Sequence, residues 1–179
     1  MKVLLISGSL RQASLNKALL RAAAKLLPAG NESAFARLDD VPPYNEDLDT
    51  DTPPAAVQRL RDVIDQADAV VIATPEYNGA VTGVLKNALD WASRPHGASA
   101  LSNKPVAIMA AVPSPNAALW ARENLQRICA VIGAAALPQT VGIPAAPTVV
   151  VDDEIRDPEL RAEVVELLDR LILAAANGY

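Results

Sequence analysis

The chain has 179 residues with 16 Lys and Arg against 21 Asp and Glu, a formal net charge of -5, and 51% of it is apolar while only 3% is aromatic. That length suits one well-buried core and is short for two, so a single domain over residues 1–179 is expected. An acidic balance without a Lys/Arg tract excludes nucleic acid and anionic membrane as expected partners. No apolar run reaches the roughly 18 residues of a membrane span, and no charged leader precedes the first apolar run, so a cytoplasmic protein is expected.

Met1-Lys-Val-Leu-Leu-Ile6 reads as a first strand, near 2–7, and the spacing of Leu15, Ala18, Leu19, Ala22 and Leu26 predicts a helix over 15–27. Between them runs Ser7-Gly-Ser-Leu-Arg-Gln-Ala-Ser-Leu-Asn16. Ser7-Gly8-Ser9 alone is an ordinary strand-to-helix turn. Arg11, the further Ser14 and Asn16 make it an anion site: helix-start amides point outward, the helix dipole favours negative charge, hydroxyls donate, and a guanidinium binds two oxygens at once. The loop carries neither the G-x-G-x-x-G of a dinucleotide fold nor a P-loop.

A second strand is predicted near 32–38, followed by a proline-bearing segment at 39–54 and a helix over 54–66. Ala69-Val-Val-Ile-Ala73 is a short apolar run typical of a buried parallel strand, near 68–74. It gives way to Pro75-Glu-Tyr-Asn-Gly79, where Pro75 fixes the exit angle, Gly79 lets backbone pass close to a ligand, and the amides of 76 to 79 lack helical partners. Such a loop suits a flat ring. Glu76 is assigned to positioning through its backbone, and Tyr77 to stacking or framing.

A helix over 82–93 comes next, then His96 in a loop at the expected pocket mouth, then a strand near 104–112 and a proline-bearing turn at 113–116. The helix predicted over 117–132 places Cys129 on an apolar face, where it reads as a buried thiol. One cysteine and one histidine exclude a disulfide, a dithiol redox couple, an iron–sulfur cluster and a multi-histidine metal site within the chain, so no metal is expected and redox chemistry must come from a cofactor. A last strand near 136–142, prolines through 147 and an acidic start at Asp157-Pro158 lead into a final helix over 157–175. Strands alternating with helices imply right-handed crossovers and a parallel sheet covered on both faces.

The pair Gly8-Ser-Leu-Arg-x-x-Ser-x-Asn16 and Pro75-Glu-Tyr-Asn-Gly79, the latter running into Gly83-Val-Leu-Lys-Asn-Ala-Leu-Asp-Trp91, resembles the NADPH-dependent FMN reductases, flavodoxin-like proteins that include quinone, chromate and azo-dye reductases. Asp39-Asp-Val-Pro-Pro-Tyr-Asn-Glu-Asp-Leu48 is similar to that family's loop after the second strand. The resemblance implies a three-layer α/β sandwich with a five-stranded parallel sheet in the order 2-1-3-4-5 and FMN at the carboxyl edge. It implies that Ser9, Arg11, Ser14 and Asn16 hold the FMN phosphate, that Pro75, Glu76, Tyr77, Asn78 and Gly79 line the isoalloxazine, and that residues 113–120, Ser114 among them, shape its open face.

The same resemblance implies hydride transfer from NADPH or NADH through FMN to a small acceptor (quinone, azo dye, chromate or free flavin) in a ping-pong cycle, and a homodimer or homotetramer. A flavodoxin-type electron carrier and a cofactor-free interaction protein are the alternative readings. At one place the chain departs from the family: Ala117-Ala118 stands where a Gly-Gly pair is common, and with Pro115 it is expected to hold this loop's backbone away from the flavin.

Overall fold

A computed structural model describes residues 1–178; Tyr179, the last residue of the expected domain, lies outside them. Five parallel strands, β1 (Lys2–Ser7), β2 (Glu32–Phe35), β3 (Ala69–Ala73), β4 (Pro105–Ala111) and β5 (Ala135–Ile143), form one sheet in the order β2-β1-β3-β4-β5. Strand order reverses beside β1, so β1 and β3 flank the switch point where open α/β sheets bind ligands.

The helices are α1 (Leu15–Leu26), α2 (Ala55–Asp65), α3 (Gly83–Ala92), α4 (Leu119–Ile132), a single turn α5 (Ala146–Val149) and α6 (Pro158–Asn177). Alternation along the strands divides the core. Val3, Leu5, Val71 and Met109 face α1 and α6, whose Leu19, Leu20, Leu168 and Leu171 are buried against them. Leu4, Ile6, Val70, Ile72 and Ile108 face the other way, onto Leu60 of α2, Leu85 and Leu89 of α3 and Leu125 of α4. The central strands β3 and β4 are buried at every position, which is why they read as unbroken apolar runs. Each Val, Ile or Met side chain among them contributes roughly 1.5–3 kcal/mol on leaving water.

The edges depart from the expected ranges. β2 ends at Phe35 instead of 38, and all four of its residues are exposed. β5 carries Pro138 inside the strand, tolerated because an edge strand leaves one side of its backbone unpaired, and its pairing with β4 shifts register near Val106 and Ile108. A short antiparallel pair, β6 (Val150–Val151) and β7 (Glu154–Ile155), turns the chain before α6 through Asp152 and Asp153, both at positive φ.

The segment between β2 and α2 is strapped down. Trp91, fully buried in α3, donates its indole N–H to the carbonyl of Pro42 at 2.8 Å, and Asn87 donates to the same carbonyl at 2.9 Å. Tyr44 meets the Trp91 ring edge-on at 4.8 Å between centroids. Asp49 accepts from Arg61 and Arg94, each at 2.7 Å, with its side chain only 9% exposed. Those guanidiniums, Arg94 foremost, hold the Asp49 carboxyl below the usual carboxylate range against the opposing effect of burial.

Candidate functional site

Three loops meet at the carboxyl edge of the sheet. In the first, Ser14 is the N-cap of α1, its Oγ accepting from Lys17 N at 3.2 Å, which leaves its hydroxyl hydrogen free to donate. The backbone amides from Leu10 to Asn16 have no acceptor among the described residues. Arg11 is exposed and makes no ion pair or hydrogen bond among them either. A row of unclaimed amides, two buried hydroxyl-bearing serines (Ser9 and Ser14) and a guanidinium is a donor set without acceptors, which is the chemistry a phosphate group requires.

Asn16 is engaged through its side chain. Its side chain is 2% exposed and exchanges two 2.9 Å hydrogen bonds with Ala111, Nδ2 donating to the carbonyl and Oδ1 accepting from the amide. This pairing ties the start of α1 to the end of β4. The side chain thus fixes the loop's position, and what Asn16 leaves available to an anion is its backbone amide.

In the second loop, Asn78 and Gly79 have φ of 54° and 73°, and Tyr77 and Ala80 exchange backbone hydrogen bonds of 3.1 and 3.2 Å. This is a type I′ turn, for which Asn-Gly is the favoured pair. It corrects the expectation that all amides from 76 to 79 are unclaimed: the Tyr77 amide is used by Ala80, and those of Glu76, Asn78 and Gly79 remain. Tyr77 is 52% exposed; Trp120, 61% exposed, lies 3.5 Å from where a Gly79 side chain would begin.

The first two loops are locked together by residues the motifs did not single out. Thr82, N-cap of α3, accepts from Leu85 N and donates its own hydroxyl to the Gly8 carbonyl at 2.6 Å. The Gly8 amide donates to Ala73 O at 2.8 Å. A Cβ at Gly8 would sit 2.7 Å from Thr74 Oγ1 and 3.2 Å from Thr74 Cα, so only glycine admits this approach. Gly8 is thus a close-packing glycine in the first strand-to-helix turn.

The third loop takes a backbone path that alanine does not favour. Ala117 and Ala118 take φ of 50° and 55°, the left-handed region that glycine occupies without strain, so the backbone follows a glycine-like path despite the substitution. Three groups hold it there. Arg122 Nε donates to Ala117 O at 3.1 Å while its Nη1 donates to Thr140 Oγ1 at 2.5 Å. Asn116 Oδ1 accepts from Ala118 N at 3.3 Å and from Ser114 Oγ at 2.6 Å. Gly142 in β5 gives the loop room, since a Cβ there would lie 2.5 Å from Ala117 O. Ser114 is exposed at the tip of this loop.

Glu76 also exceeds the backbone role expected of it. Ala118 caps α4 without a side-chain bond, and the carboxylate of Glu76 reaches across to supply one: Oε2 accepts from Ala121 N at 3.1 Å and Oε1 from Asn116 Nδ2 at 3.2 Å. Away from these loops, His96 is an exposed loop residue. Cys129 is buried in the core, which pushes its thiol up to about 12 and keeps it inert. No group of three or more His, Cys, Asp or Glu among the described residues could hold a metal ion.

A doubly wound parallel sheet in the order β2-β1-β3-β4-β5, with donor-bearing first and second loops across its switch point, defines a flavodoxin-like protein. The chain belongs to the NADPH-dependent FMN reductase family, whose model matches residues 1–148. It is 44% identical over 111 residues to a quinone reductase of Pseudomonas putida, covering 62% of this chain and 60% of that protein. It is 51% identical over 110 residues to an NAD(P)H-dependent FMN reductase of Pseudomonas aeruginosa, covering 62% and 59%. Both matches thus span about three fifths of the relatives' lengths. Among solved structures, a flavoenzyme NAD(P)H:(acceptor) oxidoreductase from Paracoccus denitrificans superposes with a TM-score of 0.87 at 30% identity, covering 99% of this chain and 98% of that one.

Proposed function

We propose that this protein is an FMN-dependent NAD(P)H oxidoreductase that passes a hydride from NADPH or NADH, by way of FMN, to a small acceptor such as a quinone, an azo dye, chromate or a free flavin, in a ping-pong cycle. The observation that carries the reading is the lock between the first two loops. Gly8, Thr74 and Thr82 bring a donor set suited to phosphate and a rigid turn suited to a ring to one edge of the sheet, as one mononucleotide needs.

FMN, when bound, supplies the two-electron chemistry, and the protein supplies orientation and electrostatics. In this reading Ser9, Arg11, Ser14 and the amides through Asn16 hold the phosphate. Pro75 directs the second loop, the amides of Glu76, Asn78 and Gly79 present hydrogen-bond donors to the ring, and such donors favour negative charge there. Tyr77 and the loop of Ser114 frame the open face. Glu76 acts as a positioning residue, since its carboxylate is engaged by Asn116 and Ala121.

The protein is proposed to work in the cytoplasm as a homodimer or homotetramer, for which the exposed Trp120 and Leu119 provide apolar surface. No helix among the described residues is long and apolar enough to cross a membrane. The test is reduction of a simple benzoquinone by NADPH with the FMN-loaded chain and no other protein. Turnover supports the reading. Flavin that binds but is reduced only in the presence of a second protein favours an electron carrier instead.

A further inference from the structure

On the outer side of the first loop, whose Ser9, Leu10 and Gln12 border it, the described residues line a cavity of about 510 Å³ between the carboxyl ends of β1 and β2 and the first turns of α1. Three cations line it. Lys17 and Arg21 stand one helical turn apart on α1, and Arg37 enters from the segment after β2. Its apolar wall is made by Leu10, Leu38 and Phe35. Phe35 is the chain's only phenylalanine and is 43% exposed, so part of its ring surface is open to a ligand.

Of the four residues assigned to the FMN phosphate, only Ser9 borders this cavity, so it lies on the outer side of the phosphate loop. Arg21 is paired with Asp153 at 2.7 Å, and Arg37 forks onto Asp39 at 3.3 and 3.2 Å. Asp39 is the one carboxylate in the lining, with Asp153 on Arg21 and Asp40 3.7 Å from Arg37 standing just outside it, so Lys17 is the lining cation that no carboxylate holds among the described residues. A phosphate monoester, at roughly -1.5 to -2 near neutral pH, competes for Arg37 with Asp39 and the more distant Asp40, both exposed.

We propose that this cavity is a second nucleotide subsite that takes the adenosine 2′-phosphate end of NADPH, with the purine on Phe35 and the phosphate on Lys17 and Arg37. The inference rests on the oxidoreductase reading above for the identity of the dinucleotide. Placement along the sheet is consistent with it. Neighbouring strands lie about 4.8 Å apart, so the cavity beside β1 and β2 is on the order of 10–15 Å from the ring loops after β3 and β4, a distance an extended dinucleotide bridges. The arrangement favours NADPH over NADH, because the cations have no partner on a ribose that lacks the phosphate.

The test uses the FMN-loaded chain in calorimetric titrations with 2′,5′-ADP, 5′-AMP and inorganic phosphate. Expected are binding of 2′,5′-ADP with FMN retained, and at least about tenfold weaker binding of each of the other two probes. Arg37→Ala, at an exposed position, should weaken 2′,5′-ADP on the order of tenfold and lower the ratio of kcat/KM for NADPH over NADH similarly. No heat from 2′,5′-ADP, equal binding of 5′-AMP or phosphate, or indifference to Arg37→Ala overturns the proposal. Displacement of FMN by 2′,5′-ADP overturns it too, because the cavity would then belong to the flavin phosphate. If neither nucleotide reduces the flavin, the oxidoreductase reading fails, while the heat of 2′,5′-ADP binding and its response to Arg37→Ala still report on the cavity.

Discussion

The carboxylate of Glu76, in the loop after β3, accepts a hydrogen bond from the amide of Ala121, in the first turn of α4, at 3.1 Å. A helix that begins at an alanine lacks its own cap, and this residue supplies one from 45 positions upstream. The other oxygen holds Asn116, so one side chain joins the loop expected to carry the flavin ring to the loop expected to close over it. Replacing Glu76 with Ala should therefore cost about 1–2 kcal/mol of stability. Gln, which keeps an acceptor but not the charge, should recover part of that loss. Urea unfolding of the two variants beside the parent checks the order, and equal loss in both would mean that charge alone matters.

Ala117→Gly should stabilise the protein. Left-handed backbone costs an alanine roughly 1–2 kcal/mol, and glycine relieves that strain while adding somewhat under 1 kcal/mol of unfolded-state entropy. A net gain of about 0.5–1 kcal/mol is expected in the same unfolding assay. At Ala118 the benefit should be smaller, because its fully buried methyl group is lost as well.

Gly8→Ala should damage both stability and flavin binding. The added methyl meets Thr74 Oγ1 at 2.7 Å and Thr74 Cβ at 3.0 Å, and overpacking of this kind costs about 1–3 kcal/mol. Circular dichroism together with FMN titration should show a folded protein with weakened affinity. A variant with parental affinity would show that the first two loops move independently.

Acidification should release the strap over α3. The carboxyl of Asp49 has its pKa lowered chiefly by Arg94, with Arg61 contributing, so its stabilisation is complete above the unfolded carboxylate range near 4 and is lost as pH falls through the lower folded value. Asp49→Asn should accordingly cost stability at pH 7, on the order of 3 kcal/mol for breaking a largely buried pair. That difference should shrink below about pH 4. A difference independent of pH between 7 and 2 would assign the loss to packing.

The layers and the two loop motifs were legible because each rests on short-range signals: unbroken apolar runs for β3 and β4, helical spacing on α1, and Asn-Gly for a tight turn; the strand order came only from the family resemblance, because periodicity does not carry it. What the sequence hid is long-range. Thr82 to Gly8 spans 74 positions and Asn16 to Ala111 spans 95, and no local pattern marks such partners. The alanine pair misled because propensity disfavours left-handed alanine, whereas Arg122 in the first turn of α4 and the space left by Gly142 in β5 overrule it.

Arg11 carries the clearest electrostatic expectation. Removing its guanidinium by Arg11→Ala takes away a charge-assisted contact of about 1.5–3 kcal/mol, so FMN should bind roughly one to two decades more weakly. Riboflavin, which lacks the phosphate, should bind the variant and the parent alike. Equal loss for both ligands would place Arg11 at the ring instead.

The central claim is that this edge of the sheet holds one FMN. Titrating FMN into the flavin-free protein tests it most directly, with quenching of flavin fluorescence as the readout. Saturation at one FMN per chain, with half-saturation below about 10 μM, is the predicted result. Unquenched fluorescence with protein and flavin both at about 50 μM would contradict the account.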